Sequence, residues 1–345
     1  MRNSIRVVSL FDGISCGRVA LDRAGVAVSS YHAYEIDKYA KAISRYNYPD
    51  IVPNGNVLNA DFSRFAGYDL VMGGSPCTFW SIAKANREID KNGIGWTLFM
   101  RFVEAVRVIR PRFFFYENVA SMPQSIKEYI SEELGVEPVL INSALLSAQH
   151  RKRLYWTNIS GVAQPADKGI LLRDILESGV TGREKSYCID AHYFKGGSKT
   201  RLDNQSGKRQ MVYEPVREAG AASAVCSPVR VGEFGSGGQG SRVYSVHGKT
   251  VSLTANGGGG GGKVGLYKID LPDGDYAIRK LTVTEAERCQ TLPDNYTAFG
   301  IDDKGITVKI SDTQRYKCVG NGWTVDVIAH ILSYIKNFSE VTMCG

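Results

Sequence analysis

The chain has 345 residues, 43% hydrophobic and 22% charged, which is ordinary for a globular protein and enough for one large domain plus a smaller one. No apolar run approaches the roughly 18 residues of a membrane span, and seven cysteines without a CxxC pair argue against a zinc site and against a disulfide framework. The formal charge of +7 leans mildly toward a polyanionic partner. Met1-Arg2-Asn3-Ser4 leads straight into a strand, so no signal peptide is expected. A cytoplasmic protein follows, with no membrane contact and no metal. Cys16, Cys188, Cys226, Cys289, Cys318 and Cys344 are expected to be reduced and mostly structural.

Ile5 to Phe11 reads as a strand that runs into Asp12-Gly13-Ile14-Ser15-Cys16-Gly17 and then a helix over Arg18 to Arg23. Strand, glycine turn and helix open a nucleotide-binding α/β unit. The glycines are not spaced as GxGxxG, so a dinucleotide is not favoured and an ordinary turn is an equal reading. Tyr31 to Glu35 is the second strand. It ends in an acid 18 residues after Gly17, either a ligand for ribose hydroxyls or a solvated strand-end carboxylate. Asp37 to Tyr46 reads as a helix, and Gly55-Asn56-Val57 precedes an acidic turn.

Tyr68 to Met72 is a buried strand followed by Gly73-Gly74-Ser75-Pro76-Cys77. The two glycines allow a sharp turn, and Pro76 fixes φ just ahead of a thiol. Leu98, Phe99, Phe102, Val103, Val106 and Ile109 give a helix over Trp96 to Ile109, closed by Pro111. Phe113 to Tyr116 is the next strand, running into Glu117-Asn118-Val119, 40 residues beyond Cys77. A thiol and a carboxylate, each at a strand end, could face one pocket. Glu137 to Leu145 and Leu154 to Ile159 supply two more strands. Between them, Gln149-His150-Arg151-Lys152-Arg153 directly precedes apolar Leu154-Tyr155-Trp156, so at least one arginine should point inward toward anionic or carbonyl partners. His150 reads as a bystander. Strands alternating with helices predict an α/β fold: a mixed, mostly parallel sheet with helices on both faces.

Beyond about residue 181 the texture changes. Residues 182–280 hold 19 of the 37 glycines, and carry 15 Lys and Arg against 9 Asp and Glu. Arg242 to Val246, His247-Gly248 and Lys249 to Thr254 read as a β-hairpin, and Gly257 to Gly262 is an unbroken glycine run. This span reads as a small, mainly β recognition domain in preference to a disordered linker. Thr282-x-x-Glu285 and Ser311-x-x-Gln314 read as capping boxes, the first opening a helix to Gln290, the second one to Cys318. Val319 to Trp323 reads as a turn, and Thr324 to Ile335 as the last amphipathic helix. The expected organisation is a catalytic domain over 1–181, a target-recognition domain over 182–280, and a segment over 281–345 that returns to the first domain.

In order along the chain, Phe11-Asp12-Gly13, Glu35, Gly55-Asn56-Val57, Ser75-Pro76-Cys77, Glu117-Asn118-Val119, Gln149-x-Arg151-x-Arg153, a variable basic segment, Arg279-Lys280-Leu281-Thr282 and Gly320-Asn321 resemble the cytosine-5 DNA methyltransferases. The wording around Gly13 and Cys77 is similar to the vertebrate de novo enzymes, whereas the compact length suggests a bacterial or phage enzyme. The resemblance implies the S-adenosylmethionine-dependent, Rossmann-like methyltransferase fold and transfer of a methyl group to cytosine C5 in a specific double-stranded DNA sequence. Cytosine C5 is a poor nucleophile until a thiolate adds at C6. Cys77 would be that thiolate, activated by a lowered pKa or by proton transfer on attack. Glu117 would engage N3. Arg151 and Arg153 would anchor O2 and the adjacent phosphate. The base would leave the duplex to reach them, under a mobile lid of residues 78–95.

The implied cofactor is S-adenosylmethionine, released as S-adenosylhomocysteine. By the resemblance, Phe11 packs on the adenine, Gly13 makes room for the methionine part, Glu35 takes both ribose hydroxyls and Asn321 closes the site. Asp12, Ile14, Gly17, Ile36, Asn56, Val57, Pro76, Leu98 and Trp323 complete the cofactor set. Asn56 stands where the family usually has Asp, and Ile36 where many members carry a stacking aromatic. Ser81 and Gln149 are expected at the DNA, with Arg201, Arg209, Arg230 and Arg242 as base-reading candidates. A monomer is expected, nucleoid-associated, with a cognate restriction endonuclease as a partner in a restriction–modification system. Two rivals are an RNA cytosine-5 methyltransferase of the same fold, whose branch lacks a large recognition segment, and a catalytically dead DNA-binding regulator, against which Cys77, Glu117, Arg151 and Arg153 speak.

Overall fold

In the computed structural model, residues 4–81, 86–195, 209–215, 230–233, 242–245, 266–268 and 276–341 are described. The first elements are β1 (Ile5–Leu10), α1 (Cys16–Arg23), β2 (Val28–Tyr34), α2 (Lys38–Asn47), β3 (Val52–Pro53) and β4 (Leu70–Gly73). Then come α3 (Ile94–Ile109), β5 (Phe113–Val119), α4 (Gln124–Leu134), β6 (Val139–Asn142) and β7 (Lys152–Thr157). The seven strands form one sheet in the order β3-β2-β1-β4-β5-β7-β6, with β7 antiparallel to both neighbours and the remaining pairs parallel.

The period of two in the strands sorts side chains onto two faces. Phe113 and Phe115 of β5 join Val7 of β1 and Met72 of β4 in one apolar cluster. Phe114 and Tyr116 join Val8, Leu10 and Val71 in the other. All seven residues of β5 are buried, as a strand covered on both faces requires. Phe99 and Phe102 of α3 and Ile126 and Ile130 of α4 cover the second face. Each such side chain contributes about 1.5–3 kcal/mol on burial.

The register levels the strand ends. Leu10 pairs with Tyr34 on one side and with Gly73 on the other, and Gly73 pairs with Tyr116. The residues that follow, Phe11, Glu35, Gly74 and Glu117, therefore share one edge of the sheet. The chain leaves β1 for one side and returns through β4 on the other, so this edge is the topological switch point, where open α/β sheets bind ligands.

A second sheet is built from β8 (Met211–Pro215), β9 (Arg230–Glu233), β10 (Arg242–Ser245), β11 (Leu266–Lys268) and β12 (Tyr276–Lys280), in the order β11-β10-β9-β12-β8. All five strands fall within the basic, glycine-rich span. The expected hairpin partner of β10, Lys249 to Thr254, lies outside the described residues, as does the glycine run; among the described residues β10 pairs with β9 and β11. The remaining elements are α5 (Val283–Cys289), β13 (Phe299–Ile301), β14 (Thr307–Lys309), α6 (Asp312–Asn321) and α7 (Val325–Val341). Val325, Ile328 and Leu332 of α7 enter the same apolar cluster as Val19 and Ala20 of α1, so the C-terminal segment packs on the main sheet. No helix among the described residues is long and apolar enough to cross a membrane.

Three local expectations are corrected. The capping box at Thr282 and Glu285 forms, but Ser311 opens α6 without a side-chain cap. The strand expected over Glu137 to Leu145 stops at Asn142, because the Asn142 carboxamide accepts from the amides of Ala144 and Arg151 and turns the chain into a 3₁₀ turn. The expected turn at Val319 to Trp323 is helix as far as Asn321. Gly320 is present for space, not for a turn: a Cβ there would lie 2.1 Å from the Asp190 carbonyl carbon.

Candidate active site

Cys77 begins a 3₁₀ turn, Cys77–Phe79, directly after Pro76 at φ −52°. The loop ahead of it is stapled to β5. Ser75 Oγ lies 2.6 Å from the Tyr116 hydroxyl, and Asn118 Nδ2 donates to the Ser75 carbonyl at 3.2 Å. Sequence reasoning gave no role to Ser75, Tyr116 or Asn118 beyond their place in the motifs. Their pairing becomes visible only once β4 and β5 are neighbours.

Glu117 is buried and held at both oxygens. Arg153 Nε lies 2.9 Å from Oε1, and Trp323 Nε1 donates to Oε2 at 3.1 Å. Burial pushes the Cys77 thiol up; Arg153 offsets this in part, and the Glu117 charge adds to the rise. The net direction at Cys77 is upward, opposite to one of the two expected routes to a thiolate. Burial opposes the charge on Arg153, but Cys188, Glu117 and Cys77 outweigh it and keep the guanidinium protonated.

Arg151 is buried and serves carbonyls, as its position before an apolar run predicts. It donates to Ile189 O at 3.0 Å and to Gly322 O at 2.9 Å, with Gly320 O at 3.4 Å. Arg151 Nη1 also lies 3.3 Å from Cys188 Sγ. Burial raises the Cys188 thiol, yet Arg151 and Arg153 beside it bring the net shift downward. No spacing in the sequence marks Cys188, which becomes special only through these two arginines.

On the other side of the edge, Glu35 accepts from Gly13 N at 2.8 Å and from Ile36 N and Asp37 N at 2.7 Å. Burial still raises its carboxyl above the ordinary range. Phe11 is a non-glycine residue at φ 58°, a strained conformation of the kind that gathers at functional sites. Asp37 caps α2 through Tyr39 N and Ala40 N, and accepts from Lys317 Nζ at 2.6 Å. A single cavity of about 220 Å³ joins the two sides: Phe11, Gly13, Ile14, Glu35 and Asn321 line it together with Pro76, Cys77, Glu117, Arg151, Arg153 and Trp323. Asp37, Lys317, Cys318 and Thr78 also line it, and sequence reasoning had not selected them.

Several expected site residues lie elsewhere. Asp12 turns into the core, taking hydrogen bonds from Tyr31 Oη at 2.5 Å and Ser15 Oγ at 2.6 Å, and burial raises its carboxyl. Gln149 is fully buried and its amide is committed to Cys289 O, Gln290 Oε1 and Ile189 N, so its side chain braces the fold instead of facing DNA. Gly17 packs under Met72, and Val57 belongs to the core. Leu98 is partly buried on the α3 side. Asn56 caps a 3₁₀ turn through Leu58 N, and Ile36 is 70% exposed; none of these seven lines the cavity.

Ser81 follows the Cys77 turn, its amide bonded to Cys77 O. Residues 82–85 of the expected lid lie outside the described residues, and the rest of it is tethered, Arg87 to Ser121 O at 2.7 Å and Ile89 O by Ser125 Oγ at 2.9 Å. Arg201 also lies outside the described residues. Arg209 precedes β8, and Arg230 and Arg242 open the antiparallel neighbours β9 and β10.

A profile described as C-5 cytosine-specific DNA methylase matches residues 5–337. The Type II methyltransferase M.HhaI of Haemophilus parahaemolyticus is 25% identical over 346 aligned positions, covering 95% of this chain and 93% of that protein. The Type II methyltransferase M.HpaII of Haemophilus parainfluenzae is 26% identical over 351 positions, covering 95% and 88%. The solved structure of the Entamoeba histolytica methyltransferase EhMeth superposes with a TM-score of 0.64 over 98% of this chain and 99% of that one, at 14% identity, a likeness of fold.

Proposed function

The chain belongs to the C-5 cytosine-specific DNA methylase family, and on that premise we propose that it methylates cytosine C5 in a specific duplex DNA sequence through Cys77, with Glu117 and Arg153 holding the base. The observation that carries this is the single cavity in which a thiol, a doubly held carboxylate and a protonated guanidinium meet a strand-end acid. Cys77 bonds to C6 as its proton passes to solvent, which places the electron pair of the 5,6 bond at C5; once C5 carries the methyl group, loss of the C5 proton to solvent and departure of the Cys77 thiolate restore that bond. Glu117 holds a proton on N3, its carboxylate accepting from that N3–H, which draws charge from C6, while Arg153 faces O2. Arg151 acts behind them, fixing the Gly320 to Trp323 backbone.

The cavity suits S-adenosylmethionine in its donor set: apolar Phe11, Ile14 and Pro76 beside the Glu35 carboxylate and Asn321. When bound, that group supplies an electrophilic methyl and leaves as S-adenosylhomocysteine. Phe11 and Glu35 would hold its adenosine part, and Gly13 and Asn321 the remainder. The recognition role falls to the second sheet and its span, 182–280, with 281–345 returning to the catalytic part. The names of the Type II relatives support membership of a restriction–modification system; a cognate endonuclease, and action as a monomer on the DNA of a bacterial or phage host, complete this reading.

The test is transfer of tritiated methyl from S-adenosylmethionine to duplex DNA and to tRNA, beside trapping on 5-fluorocytosine duplexes. Label at C5 of duplex cytosine, with a denaturation-resistant complex that Cys77→Ser abolishes, is expected. Labelling of tRNA alone would move the substrate to RNA, and DNA binding without any transfer would make the protein a regulator.

A further inference from the structure

We infer that Trp323 is the positioning residue of Glu117: its indole N–H holds Oε2 of the carboxylate, while Arg153 meets Oε1. The catalytic half of this inference rests on the reading of Glu117 given above. Arg153 meets Glu117 through Nε at Oε1, while Arg153 Nη1 donates to the Lys152 carbonyl at 2.9 Å. A carboxylate held at one oxygen can pivot about that contact. The Trp323 bond to Oε2, at 3.1 Å, supplies the second point and fixes the carboxylate plane.

The indole is packed by one ring, and the backbone just before it is held by two side chains. Its ring packs edge-on against Phe115 with centroids 5.3 Å apart. Arg151 holds the carbonyl of the preceding residue, Gly322, at 2.9 Å, and Gln290 Nε2 reaches the same oxygen at 3.2 Å. Gly74 leaves the space in which the bond forms. A Cβ at that position would stand 2.9 Å from Glu117 Oε2 and 3.2 Å from Trp323 Nε1. Trp323 and Glu117 both line the cavity, so the bond spans its catalytic and C-terminal walls. A tryptophan that only filled space would need none of these polar alignments.

Trp323→Phe keeps an aromatic ring and removes the N–H. At saturating duplex DNA and S-adenosylmethionine, kcat should fall about ten-fold, the loss of one hydrogen bond to a charged group, while both KM values change by less than about three-fold. The bond is read independently of activity in protein carrying ¹⁵N-labelled indoles. There the Trp323 N–H resonance, one of four by composition, should move on Glu117→Ala. An unchanged kcat, a loss confined to the cofactor KM, or an indole resonance indifferent to Glu117→Ala each overturns the inference. A wild-type protein that fails to methylate duplex DNA, with a resonance that does respond to Glu117→Ala, would defeat the proposed function and leave the bond standing.

Discussion

Arg153 lies 2.9 Å from Glu117 across the antiparallel ladder of β5 and β7, where Val119 pairs with Arg153 and Glu117 with Tyr155. Both side chains keep only a little exposure, so the pair is largely desolvated, and removing one partner strands the other. Arg153→Ala should lower methyl transfer by at least about a hundred-fold and cost roughly 3 kcal/mol of stability, the low end for a buried pair because some solvent remains. Arg153→Lys, which keeps the charge without the planar fork, should fall between. Transfer rates with urea unfolding check this; a fully active, fully stable Arg153→Ala protein would refute it.

The two thiols near the guanidiniums should differ in reactivity. Burial raises Cys77, whereas the net effect on Cys188 is downward, so at neutral pH Cys188 carries more thiolate. Cys16 and Cys318 are buried and pushed up to about 12. In the DNA-free protein, iodoacetamide should alkylate Cys188 first of these four, and its lead over Cys77 should narrow as pH rises. Peptide mass spectrometry after brief labelling reads the order, and Cys77 modified ahead of Cys188 would contradict it.

The Asp37–Lys317 pair should give a pH-dependent contribution to stability. Burial opposes the Asp37 charge, but Lys317 and the amides of Ala40 and Tyr39 outweigh it and hold the carboxyl below its usual range. With the folded value depressed, the contribution is complete above about pH 4, the unfolded value, and fades as pH falls through the folded one. Asp37→Asn retains an N-cap and loses the ion pair, so it should cost about 0.5–1 kcal/mol at pH 7, discounted because both side chains are partly exposed. Unfolding at pH 7 and pH 3 should show that difference shrinking at the lower pH; a constant difference would show that the pair is not its source.

Gly320→Ala should be harmful although alanine favours helix. The added Cβ would meet Asp190 and Ala191 backbone atoms at 2.1–2.4 Å, and backbone cannot rotate aside as a side-chain tip can. A loss of about 3 kcal/mol or more is expected, at the upper end for overpacking. Thermal unfolding measures it, and a melting temperature equal to the wild type would show that the two segments part freely.

Base reading should map to the span of the second sheet. Alanine at a base-reading residue among Arg201, Arg209, Arg230 and Arg242 should cost about 1–3 kcal/mol at one base position and relax specificity there. A phosphate-binding lysine in the same span should weaken all sequences alike. Methylation of a randomised duplex library, read by bisulfite sequencing, distinguishes the two. A preferred motif altered only by variants outside 182–280 would move recognition elsewhere.

The alternation of strands and helices in the first 160 residues was legible in the chain alone, as were the strand-end words at Gly13, Glu35, Cys77 and Glu117. Both are local: apolar periods of 2 and 3.6, and glycine or proline at turns, act over a few residues whatever the rest of the chain does. The sequence also marked Arg151 as inward-facing, since a charge directly before an apolar run must find partners. Which partners was decided by the tertiary structure. Trp323 reaches Glu117 from 206 residues away and Arg151 reaches Gly322 from 171, because α6 and α7 return to the edge where β1 and β4 part. The side chains of Asp12 and Gln149 are drawn into the core, because neighbours that hold them, Tyr31 and Cys289, come from other parts of the chain. Long-range pairing follows from sheet order and register, which no local periodicity encodes.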